Sequence, residues 1–116
     1  HFFLVYSLLT RDDIDVNKPK KNGCTPLYMA SDRGHVEIVQ TLLTRDDIDV
    51  NKSNKEGVCP LYKACELNHR DIVKLLIASK HIDINLKFRE KFTPLMKAQE
   101  EGFADIVQLL TAAGAK

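Results

Sequence analysis

The sequence offers little that would direct it to a membrane or to nucleic acid. No apolar stretch approaches the roughly 20 residues needed to span a bilayer. The opening segment 1–6 is apolar but short, and it lacks the basic leader and the cleavage site of a signal peptide. The net charge of +1 gives no electrostatic argument for DNA, RNA or an anionic membrane. We therefore expect no nucleic-acid and no membrane partner.

The sequence is also poor in groups that build catalytic or metal sites. Its three cysteines, Cys24, Cys59 and Cys65, cannot all pair with one another, which favours buried free thiols in a reducing compartment, the cytosol or the nucleus. No C-x-x-C or H-x-x-x-H spacing supports zinc, and the acidic run 46–49 lacks the glycine and glutamate of a calcium loop. No phosphate loop or G-x-S-x-G elbow occurs. We expect no enzyme activity, cofactor, metal or small-molecule substrate.

Internal repetition is what the sequence has in abundance. The segment 10–18 recurs unchanged at 44–52, an offset of 34 residues. The same offset relates Pro-Leu-Tyr at 26–28 to the identical triplet at 60–62 and to Pro-Leu at 94–95. A period of this length is typical of repeat proteins, in which each unit covers the apolar face of its neighbour.

Each unit predicts two helices. Thr25 and Pro26 are typical of a helix N-cap and first helical position, and they follow a tight turn at Gly23. The first helix ends at residues that tolerate the left-handed conformation, namely Gly34, Asn68 and Gly102. The second helix carries apolar residues at helical spacing, such as Ile38, Val39, Leu42 and Leu43 in one unit and Ile72, Val73, Leu76 and Ile77 in the next. His35 and His69 open the second helices and predict a packing or capping role.

Residues 23–43, GCTPLYMASDRGHVEIVQTLL, resemble the ankyrin repeat. The family pattern is G-x-T-P-L-H-x-A-x-x-x-G-H-x-x-I-V-x-x-L-L, followed by an Asp-Val-Asn segment. The resemblance recurs three times in register and covers the whole chain. It implies an all-α fold, an ankyrin-repeat solenoid of stacked helix-turn-helix units with extended β-turn fingers.

The repeats depart from the family pattern at three places. The period is 34 residues rather than about 33, and the extra residue near 46–48 predicts a slightly longer or differently shaped loop after the second helix, with the stacking kept. Only Gly114 keeps the family's glycine at that place. The family's histidine is replaced in every unit, by Tyr28, Tyr62 and Met96. Its hydrogen bond to the threonine is therefore altered or lost. Lys91 replaces the turn glycine of the last unit, which predicts a distorted fingertip.

The repeat register divides a single domain, 1–116, into four units. We expect a partial repeat at 1–19 that starts at its second helix, repeats at 20–53 and 54–87, and a terminal incomplete repeat at 88–116. Neither end shows a dedicated polar capping unit. This organisation indicates a fragment of a longer ankyrin array or an engineered repeat protein.

The resemblance also implies a binding face. In ankyrin stacks the fingertips and the outer side of the first helices line a concave surface. Carried over residue by residue, the candidate partner-binding residues are Lys21, Asn22, Cys24, Arg33, Lys55, Val58, Leu67, Arg89 and Phe92. Two interpretations of Phe92 stay open. It is an interface anchor, or it packs with Phe88 to compensate for the glycine missing at Lys91.

We expect a monomeric, non-catalytic module that binds another protein as a scaffold. The alternative is a structural spacer within a longer array, with no binding site of its own. The identical segments 10–18 and 44–52 favour that alternative because they indicate recent duplication or design. An accessory domain fused to an enzyme is a third possibility, on which the sequence is silent.

Overall fold

A computed structural model describes residues 15–116, and six α-helices lie within them. The first helices of successive repeats are α1 (Pro26–Arg33), α3 (Pro60–Glu66) and α5 (Pro94–Glu101). The second helices are α2 (Val36–Leu43), α4 (Arg70–Ile77) and α6 (Ala104–Ala112). The only β pairing in this part of the chain is one isolated bridge, so the all-α class is confirmed. Most of the partial repeat predicted at 1–19 lies outside the described residues.

The first helices begin as predicted, with a capping side chain followed by proline. The hydroxyl of Thr25 accepts a hydrogen bond from the backbone N–H of Tyr28 at 3.2 Å, and Thr93 caps α5 in the same way. In α3 the cap is Cys59, whose sulfur accepts from the N–H of Tyr62 at 3.5 Å. The sulfur of a protonated thiol is a weak hydrogen-bond acceptor, so this is the weakest of the three caps.

The left-handed ends of the first helices are confirmed. Gly34 has φ of 75° and Gly102 has φ of 73°, each closing its helix. Asn68 takes the equivalent place after α3 with φ of 61°. Asparagine is among the few residues with a side chain that adopt this conformation at modest cost, which explains why it can replace glycine there.

The core is one continuous column shared by all described repeats. First helices pack on first helices, and second helices on second helices, along the stack. Five of the six helices supply large side chains that are fully buried, namely Leu27, Leu42, Leu61, Ile72, Leu76, Ile106 and Leu110, and α5 contributes the buried Ala98 and the nearly buried Leu95. Because neighbouring repeats supply the cover for each other's apolar side chains, removing one of them should weaken the whole column.

An asparagine ladder ties each repeat to the next. Asn51 donates from Nδ2 to the carbonyl of His81 at 2.7 Å, and its Oδ1 accepts from the N–H of Asp83 at 2.7 Å. Asn17 makes the same pair of bonds 34 residues earlier, and Asn85 accepts one such bond from position 116. Sequence reasoning treated this segment only as an extended link. The available signal was the recurrence of asparagine at positions 17, 51 and 85, at the 34-residue offset.

His69 packs between repeats rather than capping its helix. It occupies the N-cap of α4 without a side-chain capping bond. Its Nε2 lies 3.1 Å from the carbonyl oxygen of Asp32, and its ring is so close to Gly34 that a Cβ there would stand 3.0 Å from Cε1. Of the two predicted roles for this histidine, packing is the one observed.

The loops after the second helices differ from one another, as predicted. The loop after α6 turns at Gly114 with φ of 96°, whereas the loop after α4 turns one position later, at His81 with φ of 65°. In the loop after α2, neither Asp46 nor Asp47 has a positive φ. The extra residue of the 34-residue period is therefore accommodated differently after α2 and after α4, whereas the loop after α6 is one residue shorter, because its ladder bond spans 31 residues and not 32.

Candidate functional site

Three seven-residue hairpins, which we call the fingers, comprise residues 18–24, 52–58 and 86–92, and each directly precedes a first helix. In the first finger the N–H of Lys20 donates to the carbonyl of Cys24 at 3.0 Å. The N–H of Gly23 donates back to Lys20 at 2.8 Å, and Gly23 has φ of 81°. The second finger repeats this pattern with Gly57. Glycine closes both turns because it takes a positive φ without steric cost.

Neighbouring fingers touch through their backbones. The N–H of Lys55 donates to the carbonyl of Asn22 at 3.1 Å, which joins the first finger to the second. A Cβ added at Gly23 would lie 2.7 Å from the backbone nitrogen of Lys55. Gly23 is therefore required twice, once for its φ and once for this close approach. A Cβ at Gly57 would meet nothing nearer than Phe88 Cδ1 at 3.9 Å.

The third finger has a different turn, and the distortion predicted from Lys91 is confirmed. Positive φ angles occur at Arg89 (54°) and Glu90 (57°), two positions and one position before Lys91, which replaces the glycine. The N–H of Lys91 donates to the carbonyl of Phe88 at 3.1 Å, and Phe88 pairs with Phe92 in an antiparallel bridge. Two consecutive left-handed residues match a type I′ turn, which ordinarily favours asparagine and glycine.

Aromatic packing supports this unusual turn. The ring of Phe88 lies 5.2 Å from that of Tyr62 and 6.3 Å from that of Phe92 between centroids. The guanidinium of Arg89 stands 4.9 Å above the ring of Phe88, and the ammonium of Lys91 stands 5.5 Å from the ring of Phe92. Phe92 is half-buried and packs against the core cluster. The packing interpretation of Phe92 therefore describes its place in the structure.

Two of the candidate binding residues are corrected by the structure. Cys24 is 5% exposed and Val58 is 9% exposed, so both side chains lie in the core and not on the fingertip. Each is the last residue of its finger, where the chain turns inward to the buried N-cap of the first helix. Both side chains therefore contribute to core packing and do not lie on the surface on which the resemblance placed them.

The other candidates lie at or near the surface. Lys21, Asn22, Arg33, Lys55 and Arg89 are exposed. Leu67 is 43% exposed and, with Met96 at 42%, forms the pair of large apolar side chains exposed in residues 15–116.

Sequence reasoning missed Met96 as a surface residue. Its counterparts Tyr28 and Tyr62 are buried, at 6% and 7% exposure, and the burial raises the pKa of both phenols. A first helix from the following repeat packs beside each tyrosine, whereas no described helix packs there beside Met96. The sequence did offer a signal for this site, because a large apolar residue stands in the last repeat at the position that Tyr28 and Tyr62 occupy in the earlier repeats.

An ionic network runs along the first helices below the fingers. The ammonium of Lys63 lies 2.6 Å from the carboxylate of Glu66, and the ammonium of Lys97 lies 3.1 Å from Glu100, 3.5 Å from Glu101 and 3.9 Å from Glu66. The hydrogen bond to Glu100 is the main cause that raises the pKa of Lys97. This network joins α3 to α5 and leaves carboxylate oxygens at the surface.

The thiols and the acidic loop have structural partners. Cys24, Cys59 and Cys65 are free and buried, as predicted, and burial raises the pKa of Cys65 to about 12 and that of Cys59 in the same direction. The thiols of Cys59 and Cys65 therefore stay protonated at neutral pH and are poor nucleophiles. Asp47 pairs with Arg45 at 2.9 Å, and the hydrogen bond from Arg45 lowers its pKa. Residues 15–116 contain no cluster of three or more groups suited to a metal ion.

Paired short helices stacked at a constant period, with a finger before each first helix, define a solenoid of helical repeats. A family model described as ankyrin repeats (3 copies) matches residues 1–88 and 47–116. The chain belongs to the ankyrin repeat family, and the resemblance found in the sequence is confirmed. Ankyrin repeats are generally protein-interaction modules and typically non-catalytic.

A search of curated proteins found no match. None of the helices within the described range is long and apolar enough to cross a bilayer.

Proposed function

We propose that this chain is a non-catalytic scaffold that binds another protein through its finger face, which we define as the three fingers, the first helices and Leu67. The observation that carries the proposal is the exposure of Leu67 at the C-cap of α3, within the stack, and Met96 in α5 is a second exposed apolar side chain. Elsewhere in the described chain large apolar side chains are covered by neighbouring repeats. Exposed apolar side chains ringed by charge are typical of the centre and rim of a protein interface.

The rigidity of the face supports the same function. The first two fingers are joined by a backbone hydrogen bond, the third finger stacks on Tyr62 of α3, and the repeats are joined by the asparagine ladder. A preformed surface loses little conformational entropy when it binds, so modest contacts suffice for affinity. The three buried free thiols fit a reducing compartment, and we propose the cytoplasm or nucleus with the chain as a monomer.

The test compares two surfaces of the same molecule. One variant carries Leu67→Ser and Met96→Ser on the finger face, and the control carries Arg70→Ala, Lys74→Ala and Gln108→Ala on the exposed side of α4 and α6. Each protein is immobilised, and the proteins captured from an extract of the source cells are quantified by mass spectrometry. We expect specific partners to be lost only with the first variant. Equal capture by wild type and the finger-face variant would reject this face as the binding site.

The spacer role remains the second candidate, and the asparagine ladder is the observation that favours it. Its hydrogen bonds transmit stacking from repeat to repeat without using the finger face. A spacer predicts that charge and apolar substitutions on the fingers leave every interaction of the parent protein unchanged, provided the number of repeats is kept. Deleting one 34-residue unit would then alter function by changing the length of the array.

A further inference from the structure

The fingers concentrate positive charge that the composition of the whole chain conceals. Residues 18–24, 52–58 and 86–92 together contain eight lysines and arginines but only two glutamates. The remaining described residues contain eight lysines and arginines against twelve aspartates and glutamates. The fingers therefore carry a net charge of +6 and the rest of the described chain carries −4. A near-neutral sequence thus folds into a molecule with one strongly basic edge.

These finger cations have no carboxylate partner in the described part of the chain. The ion pairs within residues 15–116 all lie on the helices or between Arg45 and Asp47. Seven of the eight cationic side chains are exposed, and Lys52 is half-buried. Like charges gathered on adjacent hairpins repel one another and reduce folding stability. A surface that carries this cost without an internal counter-charge is suited to an external anion.

The structure also holds some of these charges in place. The backbone bond from Lys55 to Asn22 sets the first two fingertips side by side. In the third finger, Arg89 and Lys91 rest against the rings of Phe88 and Phe92 at 4.9 and 5.5 Å. Cations held by aromatic rings are partly ordered before a ligand arrives, which lowers the entropic cost of pairing with an anion.

The charge on the first helices, which lie next to the fingers, favours a protein ligand over a nucleic acid. Glu66, Glu100 and Glu101 outnumber the two lysines of their network, so the first helices of the last two repeats bear a net negative charge. A phosphate backbone lying across this face would meet those carboxylates, whereas a peptide can place acidic residues only at the fingers. Leu67 and Met96 offer the peptide an apolar contact at the level of the first helices.

We propose that the finger cations bind an acidic segment of the partner protein, and that an apolar side chain of that segment contacts Leu67 or Met96. This inference rests on the proposed function, because it assigns the partner's chemistry at the same face. Charge at the rim of such an interface chiefly sets the association rate and its dependence on salt, while the apolar contact sets the lifetime of the complex.

The first experiment selects ligands without assuming a partner. A random-peptide phage library is panned on the immobilised protein and on a variant with Lys21→Glu, Lys55→Glu and Lys91→Glu. We expect peptides selected on the wild type to be enriched in aspartate and glutamate around an apolar residue, and the enrichment to vanish on the variant. Wild-type selection without acidic enrichment overturns the inference. So does the same acidic enrichment on the charge-reversed protein.

The second experiment titrates one selected acidic peptide against purified variants. The three finger reversals should weaken its Kd about tenfold or more, since each lost exposed pair contributes a modest amount and a new repulsion is added. A matched control with Lys74→Glu, Lys80→Glu and Lys116→Glu, which lie outside the fingers, should change Kd by less than about twofold. If the reversed protein fails to fold by circular dichroism, the corresponding glutamine substitutions replace it, with a smaller loss of the same sign.

The outcomes separate this inference from the proposed function. Binding that depends on Leu67 and Met96 but ignores the finger charges overturns the acidic ligand and leaves the finger-face scaffold in place. Binding that ignores both sets of residues overturns both proposals. A single-stranded DNA oligonucleotide is titrated in parallel. Tighter binding of the DNA than of the peptide, with the same dependence on finger charge, would assign the basic edge to nucleic acid instead.

Discussion

Fingers 18–24 and 52–58 place their positive φ angle on a glycine, whereas finger 86–92 places two such angles on Arg89 and Glu90. The first two fingers are joined by a backbone hydrogen bond, whereas the third packs through Phe88 against Tyr62 in helix α3 of the preceding repeat. The difference shows how a repeat tolerates the loss of a turn glycine. In the third finger the positive φ angles occur earlier in the hairpin. Aromatic side-chain packing there replaces the backbone hydrogen bond that joins the first two fingers.

The conformational cost of the third turn is comparable to the energy of the side-chain contacts around it. A left-handed residue with a side chain costs roughly 1–2 kcal/mol, so the third turn carries about 2–4 kcal/mol of conformational cost. Each aromatic pair contributes about 0.5–1.5 kcal/mol beyond area burial, and each exposed cation–π contact about 0.5–1 kcal/mol. Two contacts of each kind are present. The two sides are of similar size, and the finger can therefore persist without its glycine.

The largest loss of stability is expected from a substitution in the core column, on which all three fingers depend. Leu76 is fully buried in the middle of the core column, and Leu76→Ala should lower the free energy of unfolding by about 2–5 kcal/mol. Because the stack depends on its neighbours, both kinds of finger should lose structure together. Urea denaturation followed by circular dichroism measures the change, with exposed Leu67→Ala as the control at below about 0.5 kcal/mol. A loss below about 0.5 kcal/mol for Leu76→Ala would mean that this column does not hold the stack together.

The two glycine fingers differ in what surrounds the glycine. Gly23→Ala adds left-handed strain and a collision with the nitrogen of Lys55, so we expect about 2–4 kcal/mol of destabilisation. Gly57→Ala adds only the strain and should cost about 1–2 kcal/mol, because the space there is open. Denaturant unfolding of the pair measures the difference directly. Equal losses would argue against the close approach between the first two fingers.

The ladder offers a comparison between the middle and the end of the stack. Asn51→Ala removes two hydrogen bonds to the next repeat and should destabilise the protein by about 1–2 kcal/mol. Asn85→Ala removes one such bond and should cost about half as much. Thermal melts of the two variants provide the test. A greater loss for Asn85 would show that the ladder is not the tie between repeats.

The smallest effect is a gain in stability. Glu90→Gly relieves a left-handed residue in the third finger, and after the added flexibility of the unfolded chain is subtracted we expect a gain of about 0.5–1 kcal/mol. Glu56→Gly is the matched control in the second finger, because Glu56 has no positive φ to be relieved, and it should destabilise by a similar amount. If both substitutions lowered the melting temperature equally, the third turn would not be strained.

Much of the fold was predictable because the determining residues act locally. Helix ends are marked by single residues, through the capping hydroxyl of Thr25 and the left-handed conformation of Gly34 and Asn68. All three residues behave as predicted. Repetition at a fixed offset then gives the stacking, because a unit with one apolar stripe requires a neighbour. These inferences need only the order of residues along the chain.

The candidate site was less predictable because exposure depends on the neighbouring repeat. Variation between repeats suggested that Cys24 and Val58 face a partner, yet both turn inward at the base of the finger. Met96 was missed because its side chain is exposed only where no described helix covers it. The basic edge was missed because each finger is only a short basic segment in the sequence, and stacking of the repeats brings the three segments to one side.

The most direct test of the account is amide hydrogen exchange of the protein alone and with a selected acidic peptide bound. We predict slower exchange in the three fingers and in the first helices α3 and α5, with no change in the second helices α4 and α6. Protection confined to the second helices, or none at all despite saturating peptide, would contradict the claim that the fingers and first helices form the binding face.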